Sequence, residues 1–324
     1  VVPYRIVGEY TGKELEGLQY EQLMPWVKPT AKVDDNAAPF VQAYAEANPD
    51  KVFVGENGKD SFVEMEDKAF RIILGDYVTT EDGTGIVHIA PTFGADDAKV
   101  AKDAEIPSLF LINKRGETRP MVDLEGKYYL IEELDNVFAD KCVDKALYGI
   151  HAGEYVKNAY APQFNVGGKY DEAAAAKAED LNVVLCMEMK QAGIVLKIEK
   201  HVHNYPHCWR TDKPVLYYPL DSWFIRSSAK KERMSELNKT INWQPESTGT
   251  GRFGNWLDNI NDWNLSRSRY WGTPLPIWRN EDGEEICIGS MQELFDEIEK
   301  SVAAGIMKSN PMKDKGFVPG DYSS

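Results

Sequence analysis

The sequence predicts an α+β chain of about two domains, and three observations carry that reading. Its 324 residues are enough to bury a sizeable core. Strand-like and helix-like stretches interleave over residues 1–196 without the regular βαβ spacing of a doubly wound sheet. After residue 196 the texture changes, with seven of the eight tryptophans falling between Trp209 and Trp278. We therefore divide the chain into residues 1–196 and 197–324, the second ending in a loose polar tail from Met307 to Ser324.

In chain order, residues 4–10 and 51–55 read as strands, and 36–47 as a helix closed by Asn48-Pro49. A strand near Phe70 to Leu74 leads toward Ile86 to Ala90, whose alternation is that of a half-buried strand, with Val87 and Ile89 on one face. Pro91 and Gly94 turn the chain, and Ala95 to Ala104 has helical character. Ile131 to Leu147 is a helical pattern, and Asp171 to Gln191 holds one or two further helices ending at Gly193. Beyond it, Val195 to His203 and Val215 to Ile225 read as strands, Ala229 to Asn238 as a helix and Asn255 to Ile260 as a short helix.

Composition limits the function. With 43% hydrophobic residues and no apolar run near 18, nothing predicts a membrane-spanning segment or a membrane partner. The opening Val-Val-Pro-Tyr-Arg reads as an excerpt with no targeting segment. Four widely spaced cysteines predict reduced thiols and a cytoplasmic setting. The net charge of −15 is unevenly spread: residues 1–196 carry 20 basic and 34 acidic side chains, whereas 197–279 carry 13 and 8. Phosphate contacts need local Lys and Arg, not a basic total. Lys197, Lys200, Arg210, Lys213, Lys230, Lys231 and Arg233 are the candidates, with a solvated helix face the plainer account of the last three.

Two motifs are set aside. His201, His203, His207 and Cys208 cluster, but a structural zinc usually adds a second Cys with two residues between it and Cys208, where Thr211 stands. We expect no metal. Gly249-Thr-Gly-Arg-Phe-Gly254 matches the dinucleotide-binding pattern, yet no buried strand precedes it and no acidic residue closes a second strand, so it reads as a loop.

Residues 83 to 97, Gly-Thr-Gly-Ile-Val-His-Ile-Ala-Pro-Thr-Phe-Gly-Ala-Asp-Asp, carry the chemistry. They deliver one imidazole, His88, and carboxylates at Asp96 and Asp97 to the same end of a strand-turn-helix unit. The plainer alternative is a surface His with two aspartates favoured in the first turn of a helix by its dipole. The run resembles the editing-pocket motif of the isoleucyl, valyl and leucyl tRNA synthetases. Three more stretches resemble the isoleucyl enzymes in their eukaryote-like form. They are Lys200-His-Val-His-Asn-Tyr-Pro-His-Cys-Trp-Arg, Asp221-Ser-Trp-Phe-Ile-Arg and Trp263-Asn-Leu-Ser-Arg-Ser-Arg-Tyr-Trp-Gly. A His at position 88 also favours the isoleucyl branch over the valyl (Lys) and leucyl (Met) ones.

The resemblance implies a barrel-like editing domain over 1–196 and a return segment toward a Rossmann catalytic domain over 197–324. It implies hydrolysis of valyl-tRNA mischarged on tRNA(Ile), with His88 and Asp97 as catalytic residues and Thr84, Gly85, Ala90 and Asp96 binding substrate. It implies tRNA(Ile) as partner, not DNA, and a monomer. ATP and Mg would serve the parent enzyme, with no cofactor in this stretch, because the His-x-Gly-His and Lys-Met-Ser-Lys-Ser elements are absent from it. Ser268 stands where many isoleucyl enzymes carry Gln. Within the resemblance, a valyl-type editing domain and a non-catalytic binding module stay open as alternatives.

Overall fold

The computed structural model describes residues 5–81, 84–200, 204–267, 272–280 and 284–320. The chain divides into two compact units, residues 1–221 and 222–324. Residues 197–221 thus pack with the first unit, where Tyr160 Oη donates to the Pro214 carbonyl at 2.9 Å.

In the first unit, helix α1 (Gly12–Leu15) opens with a capping box in which Glu14 accepts from the Thr11 backbone and hydroxyl. Strand β1 (Thr30–Val33), helix α2 (Pro39–Ala47), and strands β2 (Val52–Val54) and β3 (Ser61–Glu64) follow. The strands form an antiparallel sheet in the order β1-β3-β2, with Phe62 paired to Lys32 and Phe53, and Val63 to Ala31 and Val52. Neighbouring residues on a strand face opposite ways, and β3 uses both faces. Phe62 is buried in a cluster with Trp26, Leu111, Leu134, Phe138 and Tyr148. Val63 is buried in a second cluster with Val41, Tyr44, Ala45 and Met65. Helix α2 ends at Asn48, before Pro49, as its sequence predicts.

Helix α3 (Ala95–Asp103), strands β4 (Leu111–Ile112) and β5 (Thr118–Arg119), and helices α4 (Asn136–Cys142) and α5 (Lys145–His151) follow, with β4, α4 and α5 supplying residues to the larger core. The pattern over 131–147 is split because Val143 adopts an extended backbone between α4 and α5. Asp135 and Asp144 cap the two helices by accepting from Phe138 N and from Ala146 N and Leu147 N. Helices α6 (Glu172–Ala175) and α7 (Leu181–Gln191) follow, the latter starting at its Asp180 cap.

The second unit holds strand β6 (Phe224–Ile225), helices α8 (Lys231–Asn238), α9 (Ser247–Thr250) and α10 (Arg252–Asp258), and strands β7 (Trp263–Asn264), β8 (Ile277–Arg279) and β9 (Glu285–Cys287). Helix α11 (Met291–Ala303) buries Phe295, and α12 (Pro311–Asp314) buries Met312. The expected loose tail from Met307 is therefore ordered as far as α12: Asn310 is buried and its amide donates to Phe295 O at 3.3 Å.

Mixed helices and small sheets make this an α+β chain. Among the described residues the sheets have three strands or two, and none closes into a barrel. Five expected strands are not formed as read, one of them the 86–90 segment. Residues 5–10 are irregular and exposed. Phe70 has φ +50°, which a strand cannot hold, so the 70–74 segment keeps only a bridge from Arg71 to Gln19. Residues 195–200 are irregular, and His201 to His203 lie outside the described residues. Pro219, lacking an N–H, interrupts 215–225 and leaves only β6. The Gly249–Gly254 stretch, expected as a loop, spans the end of α9 and the start of α10, which meet at a non-helical Gly251, and packs tightly. A Cβ on Gly249 would lie 2.1 Å from Trp243 Cδ1, and one on Gly254 would lie 2.4 Å from the Gly249 carbonyl.

Candidate functional site

Ile86 to Ala90 is irregular in the structure, not the half-buried strand its alternation suggests. Ile86 and Val87 are both exposed, because no neighbouring strand among the described residues pairs with them. Just before them the chain turns sharply. Gly85 has φ +75°, and the Thr84 hydroxyl accepts from Ile86 N at 3.3 Å.

The turn that follows is firmly held. Phe93 N and Gly94 N both donate to the Ala90 carbonyl, at 3.1 and 2.9 Å. Thr92 is buried, and its hydroxyl donates to the Leu109 carbonyl at 2.9 Å, tying the turn to the segment that becomes β4. Phe93 meets Tyr218 edge-on at 6.3 Å. Helix α3 then starts after Gly94, a residue with no side chain to cap it. Asp97, inside the first turn, instead reaches back across the preceding turn. Its Oδ2 accepts from Ala90 N at 2.9 Å. Gly94 makes room for this, since a Cβ there would lie 2.6 Å from Asp97 Oδ2.

Two of the six residues singled out from sequence, Ala90 and Asp97, are thus joined directly. His88 is two residues from Ala90, so at most about 7 Å of backbone separates them. Its side chain is exposed, Asp97 is half-buried and Asp96 is exposed. Thr84 and Gly85 form the separate turn upstream, and Gly83 lies outside the described residues. A carboxylate oriented by one backbone N–H keeps further lone pairs for an ammonium group, and an exposed imidazole can donate or accept.

The other candidates resolve differently. Among the described residues no three His, Cys, Asp or Glu side chains are grouped to hold a metal. Thr211 uses its hydroxyl on Cys208 instead, and with the backbone N–H groups of Arg210 and Thr211 it lowers the thiol below its ordinary range. Arg210 stacks its guanidinium 4.2 Å from the Trp209 ring centroid, and Trp209 is 82% exposed. Lys197 pairs with Glu199, and Arg233 with Glu236 at 3.0 Å, which makes the 230–233 run a solvated helix face. Ser268 lies outside the described residues. No described helix is long and apolar enough to cross a membrane.

Sequence reasoning missed His151. Its ring is only 3% exposed, with Nδ1 2.8 Å from Glu154 and Nε2 3.0 Å from Glu188. Glu154, three residues on, was a visible signal, whereas Glu188 is brought in by the fold. A cavity of about 320 Å³ beside Lys51 and Asp67 also carried no sequence signal.

Comparison with known proteins defines the class. Residues 19–316 match the family model described as tRNA synthetases class I (I, L, M and V), and the chain belongs to that family. Within it, the chain is 65% identical over its full length to the isoleucine–tRNA ligase of Bacteroides thetaiotaomicron, of which it spans 26%. It is 55% identical over its full length to that of Porphyromonas gingivalis, spanning 24%. The isoleucine–tRNA ligase of Clostridium acetobutylicum is 36% identical over 90% of the chain, which covers 20% of that protein. The chain thus spans about a quarter of the length of the curated relatives it matches.

Proposed function

We propose that the chain is the part of an isoleucine–tRNA ligase that removes valine wrongly attached to tRNA(Ile). The observation that carries the reading is the Asp97 carboxylate held on Ala90 N, two residues from His88, in a chain so close to these ligases. The chemistry supplies the need. A pocket built for isoleucine rejects valine weakly, because one methylene is worth only ~1–3 kcal/mol, a limit documented for isoleucyl synthetases themselves. A second pocket that hydrolyses the smaller ester restores the discrimination.

In this reading Asp97 pairs with the α-ammonium of the misattached valine, and His88 contacts the terminal adenosine or the ester. Thr84 and Gly85 bring backbone close to the ribose, while Ala90 borders the amino acid and the exposed Asp96 stands outside its contact. Water attacks the ester carbonyl; the bond to the ribose oxygen breaks, releasing valine and leaving the tRNA hydroxyl protonated. Asp97 and His88 act as binding and orienting groups around that water. The first unit's small sheets are then portions of an editing barrel, and the second unit is part of the connection to a Rossmann catalytic domain, which longer relatives complete. ATP and Mg belong to the parent's activation step. The protein works in the cytoplasm as a monomer.

The test compares deacylation of valyl-, threonyl- and isoleucyl-tRNA(Ile) by the full-length ligase that carries this chain. Valyl-tRNA should be cleared much faster than the isoleucyl ester. Preferential clearance of threonyl esters would favour a valyl-type editing pocket, and binding without turnover of any ester would overturn the hydrolytic reading.

A further inference from the structure

The strongest unassigned feature of the first unit is the buried imidazole of His151, the last residue of α5. One ring nitrogen faces Glu154, in the turn after α5, at 2.8 Å, and the other faces Glu188 of α7 at 3.0 Å. Carboxylates only accept, so both ring nitrogens must donate, and a neutral imidazole has one N–H to give. With both carboxylates ionised, this geometry is satisfied by the imidazolium. The face of the ring lies over Trp26, centroids 5.1 Å apart and planes inclined by 30°, an arrangement that suits a cation. The C-terminal end of α5 favours positive charge as well.

What this cation holds is α7. That helix buries no residue fully and reaches the larger core through Leu185 and Glu188. We propose that His151 is a proton-dependent clasp: protonated, it docks α7 on the core through Glu188, and its deprotonation releases the helix.

The surrounding groups leave few other titrations to confuse the effect. Burial raises the phenols of Tyr128 and Tyr148, which pack around Trp26, above the ordinary tyrosine range. Tyr148 also donates to the Tyr129 carbonyl at 2.7 Å. Lys145 of α5 pairs with Asp140, Lys127 with Glu125, and Lys28 with Glu66. Asp144 accepts at the start of α5. Lys190 of α7 is about 200° round the helix from Glu188, and Cys186 is at a similar angle on the other side. For the imidazole itself, burial lowers the pKa, but the hydrogen bonds and charges of Glu154 and Glu188 outweigh that and raise it. A raised pKa stabilises the docked state fully below the unfolded value of ~6.5, and the contribution is lost as pH rises through the folded value.

Hydrogen exchange of residues 181–191, corrected for intrinsic rates and referenced to α2, tests the clasp between pH 6 and 9. Protection of α7 should fall several-fold, by no more than the ratio of His151 acid constants in the unfolded and native states. His151→Gln should show the reduced α7 protection already at pH 6, with no further fall to pH 9. Should that variant fail to fold, Glu188→Gln decides. Its amide can accept from the imidazolium and donate to the neutral ring, so α7 should stay docked at pH 9. Equal wild-type protection at pH 6 and 9, or a Glu188→Gln protein that keeps the wild-type fall, would overturn the proposal. So would a His151 Cε1–H resonance titrating at or below ~6.5.

Discussion

Asp97 has two jobs that can be separated by experiment. Its bond to Ala90 N closes the turn ahead of α3, and its remaining lone pairs are the ones offered to an ammonium group. In the full-length ligase, Asp97→Ala should slow valyl-tRNA deacylation by tens- to thousands-fold, the loss of a charge pair worth ~2–5 kcal/mol, while isoleucine activation stays near normal. Asp96→Ala, at an exposed position, should cost ~0.5–2 kcal/mol of stability at most and leave editing intact. Gly94→Ala is the more discriminating change. Its backbone, at φ −106°, accepts a side chain, but the new Cβ would press on Asp97 Oδ2 and turn the carboxylate off Ala90. Editing should fall with little loss of stability. Wild-type deacylation by both Asp97→Ala and Gly94→Ala would show that Asp97 only closes the turn. The imidazole at 88 and the carboxylate at 97 were readable because their spacing within one turn is local. The link between His151 and Glu188 was not, since it joins residues 37 apart.

At the scale of elements, local rules predicted the helices and failed on most of the strands, 51–55 forming as β2. The Asn48-Pro49 stop, the Asp180 cap and the turn before α3 act within a few residues, and each helix they bound is present. A strand depends on a partner distant in sequence, so 86–90 shows strand alternation and forms none. Asp135 shows how such distant segments are joined. It is fully buried; one oxygen caps α4 at Phe138 N, 2.9 Å away, and the other accepts from Glu56 N at 2.6 Å, just after β2. Gly55 permits the approach, because a Cβ there would sit 3.0 Å from Asp135 Oδ2. Asp135→Ala removes a cap and the acceptor of the Glu56 N–H, together about 1–3 kcal/mol. Asp135→Asn keeps the capping oxygen and turns an NH₂ toward Glu56 N, so it should also destabilise, while retaining α4. Urea unfolding, with exchange of residues 136–142 as the local probe, should rank wild type above Asn and Asn above Ala. Equal midpoints would mean that water replaces both bonds.

For the whole molecule, charge is the quantity that composition gave and the fold reinterprets. The −15 total sits mostly in residues 1–196, so any tRNA contact made by this chain must rely on a small number of cations elsewhere. Arg210 and Lys213 are the best placed. They lie on a tight turn closed by the bond from Cys208 N to the Lys213 carbonyl at 2.8 Å, beside an exposed Trp209. Stacking occupies the face of the Arg210 guanidinium and leaves its N–H edge available for a phosphate. Lys230 to Arg233, by contrast, behave as a solvated face, with Arg233 already paired to Glu236. Each phosphate neutralised contributes about 0.7–0.9 to the slope of log affinity against log salt. Binding of tRNA(Ile) should therefore weaken with salt, and the Arg210→Ala, Lys213→Ala double variant should flatten that slope by about 1.4–1.8. Replacing Lys230, Lys231 and Arg233 together should leave it unchanged. A slope that responds to the helix variant and not to the turn variant would place the tRNA on α8 and remove the Trp209 turn from the interface.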